Sequence, residues 1–185
     1  LPKGDASSMN IGWTSPTFMG ATLKLAYAPK NDATANNDKA LSGGTSTYKQ
    51  GGYDVMLDIN PSLGMDILSG LNVFVGGSRT ETDKEVGLSK GDTKDHEAVI
   101  VGSTFAYGPV TVGYQRSAEF TGQEVGTSVE YYQNNAFGVS FNISDDLSIS
   151  YGEMESTRHT TNATAANKTT MTIESIQLAY SMGGM

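Results

Sequence analysis

Apolar and polar residues alternate one by one along much of this chain, and that period of two constrains the fold more than any other feature. Asp54-Val55-Met56-Leu57-Asp58-Ile59-Asn60 is an almost clean example. The pattern returns in Leu71-Asn72-Val73-Phe74-Val75-Gly76, Phe137-Gly138-Val139-Ser140-Phe141-Asn142-Ile143, Leu147-Ser148-Ile149-Ser150-Tyr151-Gly152 and Ile176-Gln177-Leu178-Ala179-Tyr180-Ser181-Met182. Side chains of a strand point to opposite faces in turn, so each segment has one greasy and one wet side. No stretch carries helical periodicity, although 62–70 has room for one short helical turn. The alternation predicts strands near 8–14, 20–29, 51–60, 70–80, 97–107, 109–118, 127–143, 146–155 and 169–182.

Residues 98–115 carry no charge and are long enough to cross a bilayer as a helix. Gly108-Pro109 in the middle of the run speaks against that, because Pro breaks a helix and suits a turn. Two strands joined by a tight turn are expected instead.

The connections alternate between short and long. Short ones fall near 15–19, 61–69, Gly108 and Ser144-Asp145-Asp146, and long polar ones near 30–50, 81–96, 119–126 and 156–168. Transmembrane β-barrels sort their loops this way, with tight turns at one rim and long loops at the other. The expected fold class is therefore all-β, a transmembrane antiparallel up-and-down barrel.

Composition agrees. Hydrophobic residues make up 37% and charged residues only 17%, both below a typical soluble domain, while Gly reaches 22. A weak core combined with a weakly charged surface implies that much of the surface does not meet bulk water. One face carries Leu23, Leu25, Val55, Leu57, Ile59, Val73 and Val75, which are expected to face lipid. The other carries Lys24, Asp54, Asp58, Asn72, Thr111, Gln115 and Glu130, expected to line a wet lumen, among small residues such as Gly102, Gly113, Ser140, Ser148 and Ser150. Phe105, Tyr107, Phe141 and Tyr180 gather at strand ends beside the short turns and, with Tyr27, make up the aromatic girdle expected at the membrane interface. Arg79 and Arg116 have lipid-facing parity and are expected beyond the membrane, near the loops.

A net charge of −8 disfavours nucleic acid, whose recognition needs a basic face. No Cys and two isolated His exclude thiol catalysis, disulfide scaffolds and common zinc sites. No nucleophile elbow accompanies the Ser, His and Asp residues, so a barrel-embedded hydrolase is disfavoured and no enzymatic activity is expected. Asp92, Asp95 and Glu97 offer oxygen ligands of the kind Ca²⁺ takes, but not in EF-hand spacing. A solvated acidic loop is the favoured reading there; otherwise no cofactor is expected.

At Met9-Asn10-Ile11-Gly12-Trp13-Thr14-Ser15-Pro16-Thr17-Phe18-Met19-Gly20, continued by Ala26-Tyr27-Ala28-Pro29, the chain resembles a stretch of alphaproteobacterial general diffusion porins. Residues Val139 to Glu153 resemble a later hairpin of the same family, and Ala179-Tyr180-Ser181-Met182-Gly183-Gly184 its downstream strand and turn. The resemblance implies trimers of roughly 16-stranded barrels, each a water-filled pore for ions and small hydrophilic solutes in the bacterial outer membrane. It also implies an inward-folded constriction loop before residue 1 and closing strands after residue 185, so that 1–185 is one partial barrel domain. Lys24 is the best match by parity to the basic wall residues of such pores. The rival fold is a soluble or surface-displayed β-sandwich binding glycan or protein, which gives the same alternation with its apolar face inward.

Overall fold

The computed structural model describes residues 10–29, 49–61, 68–82, 94–123, 129–161 and 168–181. Nine antiparallel strands form one sheet: β1 (Ile11–Thr14), β2 (Ala21–Ala28), β3 (Lys49–Ile59), β4 (Leu71–Thr82), β5 (His96–Tyr107), β6 (Val110–Phe120), β7 (Val129–Asn142), β8 (Leu147–Thr160) and β9 (Thr169–Tyr180). Spatial order equals sequence order throughout, an up-and-down meander with β1 and β9 at its edges. All nine strands read from the alternation are present. β8 runs to Thr160, five residues past its expected end, into a stretch read as loop. Most of the short helical turn considered at 62–70, and Met182 to Gly184, lie outside the described residues.

The turns follow from their residues. Tyr107 and Val110 pair across a two-residue loop whose first residue, Gly108, has φ 56 and whose second is Pro109. Glycine with positive φ at the first position is the type II′ pattern, which matches strand twist. The uncharged run 98–115 is thus a hairpin, and among the described residues no helix is long and apolar enough to cross a membrane. Between β1 and β2, Met19 and Gly20 both adopt positive φ (51 and 80). A Cβ on Gly20 would lie 2.0 Å from the Asn60 carbonyl oxygen, so only glycine fits where the neighbouring turn presses in. β7 and β8 are joined by Ile143 to Asp146, where the Ile143 N–H donates to the Leu147 carbonyl at 2.8 Å.

Among the described residues no second sheet covers the first. Buried apolar side chains are limited there to Ala28, Ala98 and Ile100. Val55, Val75, Val99 and Val101 stand between 41% and 50% exposed in the middle of the sheet. A sandwich would enclose this face, since two stacked sheets place their apolar sides against each other. Here it is open.

Candidate functional site

Register decides which side chains share a face, because directly paired residues project to the same side. Leu23 pairs with Leu57 and Leu57 with Val75; Leu25 pairs with Val55; Ile59 pairs with Val73. All seven residues expected to face lipid therefore occupy one face, here the outer face. Lys24, Asp54, Asp58, Asn72, Thr111 and Gln115 have the opposite parity and share the other, here the inner face.

Lys24 is paired with Met56, which sets it diagonally between Asp54 and Asp58. Its ammonium reaches Asp58, Nζ to Oδ2 2.5 Å, with side-chain exposures of 49% and 25%. Asp58 heads a row that continues through Phe74 and Gly102 to Gln115 on β6. Asn72 and Thr111 lie nearer the short turns. Glu130 lies apart from this set, at the start of β7 by the long-loop end. It sits where the register slips between Val129 and Tyr131, and it lines a hollow of about 360 Å³ at the long-loop end with Arg79, Lys94, Asp95, Glu97 and Phe120.

The inner face is less uniformly wet than the alternation suggested. Phe74 lies against Gly102, where an added Cβ would come within 2.5 Å of the ring. Met154 pairs with Ile173, and Met171 is one row further on. The sequence signal is Gly152-Glu153-Met154-Glu155, whose acids take the opposite parity to Met154.

Aromatic residues mark both ends of the outer face. Phe105 and Tyr107 are stacked with centroids 6.4 Å apart, and with Phe141 and Tyr180 they sit at the short-turn end. Tyr27 is at the other end, beside the long connection after β2, in a row that passes through Tyr53, Arg79, Glu97, Phe120 and Tyr131 to His159. Tyr131 stacks on His159 at 4.2 Å and packs tilted against Phe120 at 5.4 Å. Tyr53, Phe120 and Tyr131 escaped the sequence reading because, Tyr27 apart, girdle candidates were sought beside short turns.

Arg79 lies near the loops as expected. Its guanidinium donates to Asp95, and Glu97 is 3.7 Å away. Asp95 Oδ1 also accepts the Thr82 N–H at 3.0 Å. The two described members of the weak calcium candidate thus already share a cation, and Asp92 lies outside the described residues. Among the described residues no group of three or more metal-ligating side chains forms. Arg116 corrects the expectation made for it: it is mid-strand on β6, paired with Val101 and Asn135, and not beside a loop.

The outer face also changes character across the sheet. On β7, β8 and β9 its short-turn half is apolar (Phe137, Val139, Phe141; Ile149, Tyr151; Ile176, Leu178, Tyr180). Its long-loop half on the same strands is polar, with Gln133, Asn135, Glu153, Glu155, Thr157, Thr170, Thr172 and Glu174.

What this arrangement offers is an amphipathic wall with no nucleophile, base or metal cluster assembled on it among the described residues. No curated protein matches the chain. The family model for Gram-negative porins matches residues 3–184, nearly its whole length, and that family is one of channels and not of enzymes. The chain belongs to the Gram-negative porin family, and its place is the bacterial outer membrane.

Proposed function

We propose that the nine strands form part of a closed barrel of the general diffusion type, a water-filled channel through which ions and small hydrophilic solutes pass down their gradients. Lys24, Asp54, Asp58, Asn72, Thr111 and Gln115 line the lumen in this reading, and the outer face meets lipid. An open sheet leaves unpaired N–H and C=O groups at two edges, each costing several kcal/mol in hydrocarbon, so further strands close the barrel. Sixteen strands, a trimeric assembly and alphaproteobacterial origin are what the sequence resemblance adds.

The observation that carries the reading is how the apolar belt runs across the outer face. The row through Tyr27 and His159 meets the line of β9 at position 168, yet the apolar stretch of β9 begins at Ile176, eight residues further (176 − 168). The belt thus drops by just over one residue per strand step. With ~3.3 Å per residue and ~4.8 Å between strands, that is a slope of ~40°. Strands of outer-membrane barrels tilt by roughly 35–45° from the bilayer normal, so a level belt crosses the rows at such a slope. A sandwich has no reason to cut its apolar face on this diagonal. The polar upper halves of β7 to β9, with Glu153, Glu155 and Glu174, then stand clear of the bilayer as an extension of the wall. The Phe120–Tyr131–His159 stack stands there with them.

The test is single-channel conductance of the intact protein in a planar bilayer, with cation and anion permeabilities compared. Stepwise ohmic currents that scale with bulk electrolyte conductivity support the channel. Absence of any conductance from correctly folded protein overturns it.

A further inference from the structure

Arg116 is a full charge at the margin of an apolar surface. It is exposed, and no salt bridge or hydrogen bond engages it among the described residues. Its paired neighbours are Val101 on β5 and Asn135 on β7. Beside it lies a hollow of about 380 Å³ whose surface is almost wholly apolar, lined by Val75, Val99, Val101, Arg116, Ala118 and Gln133. Those six residues all belong to the outer face. Gly76, Ile100 and Ser117, which complete the lining, have the opposite parity and contribute its floor.

The sequence explains the hollow. The row Val55–Gly77–Val99–Ala118–Gln133 sets Val99 between two residues with almost no side chain. Ala118, the one of these two that lines the hollow, lies between Val99 on β5 and Gln133 on β7, and the dip over its methyl opens the trough. The trough straddles the upper edge of the slanting belt. Valines lie on its membrane side, and the guanidinium and an amide lie where the belt gives way to Gln133 and Asn135.

We propose that this trough seats one phospholipid of net negative charge from the loop-side leaflet, an acyl chain against Val75, Val99 and Val101 and the phosphate on Arg116. The proposal rests on the reading that the outer face meets lipid. Charge decides the occupant. A guanidinium at headgroup depth has a phosphate within reach in every anionic lipid, and its planar fork holds phosphate oxygens in two parallel hydrogen bonds. A purely hydrocarbon neighbour leaves that charge unsatisfied at the edge of an apolar medium. Arg79, the other arginine on this face, is already held by Asp95 and Glu97 and has no comparable claim on a lipid.

The experiment is lipid retention by the intact protein in detergent micelles, read by native mass spectrometry during titration with phosphatidylglycerol or phosphatidylcholine. Wild-type protein is expected to hold one phosphatidylglycerol more tightly than phosphatidylcholine. Arg116→Gln should weaken phosphatidylglycerol about fivefold, the worth of one cation near a charged lipid surface, and should weaken phosphatidylcholine less, because its choline ammonium already offsets the phosphate charge. Arg116→Lys should keep part of the preference, Arg79→Gln all of it, and Ala118→Phe should lower retention of both lipids by filling the trough. Equal retention of the two lipids by the wild type, or an Arg116→Gln variant indistinguishable from it, overturns the proposal. So does displacement of the bound lipid by millimolar inorganic phosphate, which would make Arg116 a site for the free anion. Conductance recorded on the same preparations separates the two ideas. Channels that conduct normally without a lipid preference refute the seat alone, whereas loss of conductance in folded wild type refutes the pore.

Discussion

Lys24 on β2 and Asp58 on β3 form an ion pair on the inner face, diagonally across the seam between adjacent strands. Both groups remain in contact with water, so the pair adds no more than about 0–1 kcal/mol to stability. In the proposed channel its larger effect is on the potential of the lumen. Removing Lys24 takes a positive charge from this face and leaves the Asp58 carboxylate without its ammonium, and Lys24→Ala is expected to raise the cation-to-anion permeability ratio. Asp58→Ala should move it the other way, with neither variant losing its fold. Reversal potentials under a potassium chloride gradient check both signs.

Leu57, next to Asp58 in sequence, projects from the opposite face and lies in the row Leu23–Leu57–Val75–Val101. Leu57→Arg is expected to cost roughly 2–4 kcal/mol near the middle of the bilayer. Reversible urea unfolding in lipid vesicles measures the cost. A destabilisation below ~1 kcal/mol would mean that Leu57 does not face hydrocarbon.

The slanting belt makes a prediction that a belt parallel to the register rows reverses. Glu155 and Val101 lie in one row, joined through Arg116 and Asn135. Single cysteines there, in a chain that has none of its own, should react differently with a charged, membrane-impermeant maleimide. Glu155→Cys is expected to label readily in vesicles and Val101→Cys to be protected. Equal protection would place the whole row at one depth.

Gly20→Ala sets a methyl against the Asn60 carbonyl at a position with φ 80. The strain of positive φ alone costs of order 1–3 kcal/mol, and the clash adds to it unless the turn shifts. The variant is expected to fold more slowly into vesicles and to unfold at lower urea, read from the gel mobility of unheated samples. Gly108→Ala, where no atom lies within 4 Å of the added Cβ, should show only the conformational part.

The strands were legible because each carries its own period of two, a local signal. The end of β8 was not, because Ser156, Thr157, Arg158, His159 and Thr160 have no apolar alternation. They are strand because Val129 to Asn134 of β7 offers them partners, with Thr157 also hydrogen-bonded to Thr170 of β9 at 3.0 Å. That Leu23 shares a face with Leu57, and Lys24 with Asp58, was legible because parity needs only one strand. The position of Arg116 along the belt needs register across several strands, and so does the change from Ile176 to Glu174 on the outer face. A tilt is a relation between strands that no single segment of sequence carries.

That neighbours in sequence are also neighbours in space has a consequence for how such a wall tolerates change. Each strand is fastened only to the stave before it and the stave after it, so cohesion travels sideways, seam by seam. The long connections at one rim join strands that are already paired along these seams. Connecting segments vary more in length and chemistry than the elements they join, so change at that rim can leave the seams as they are.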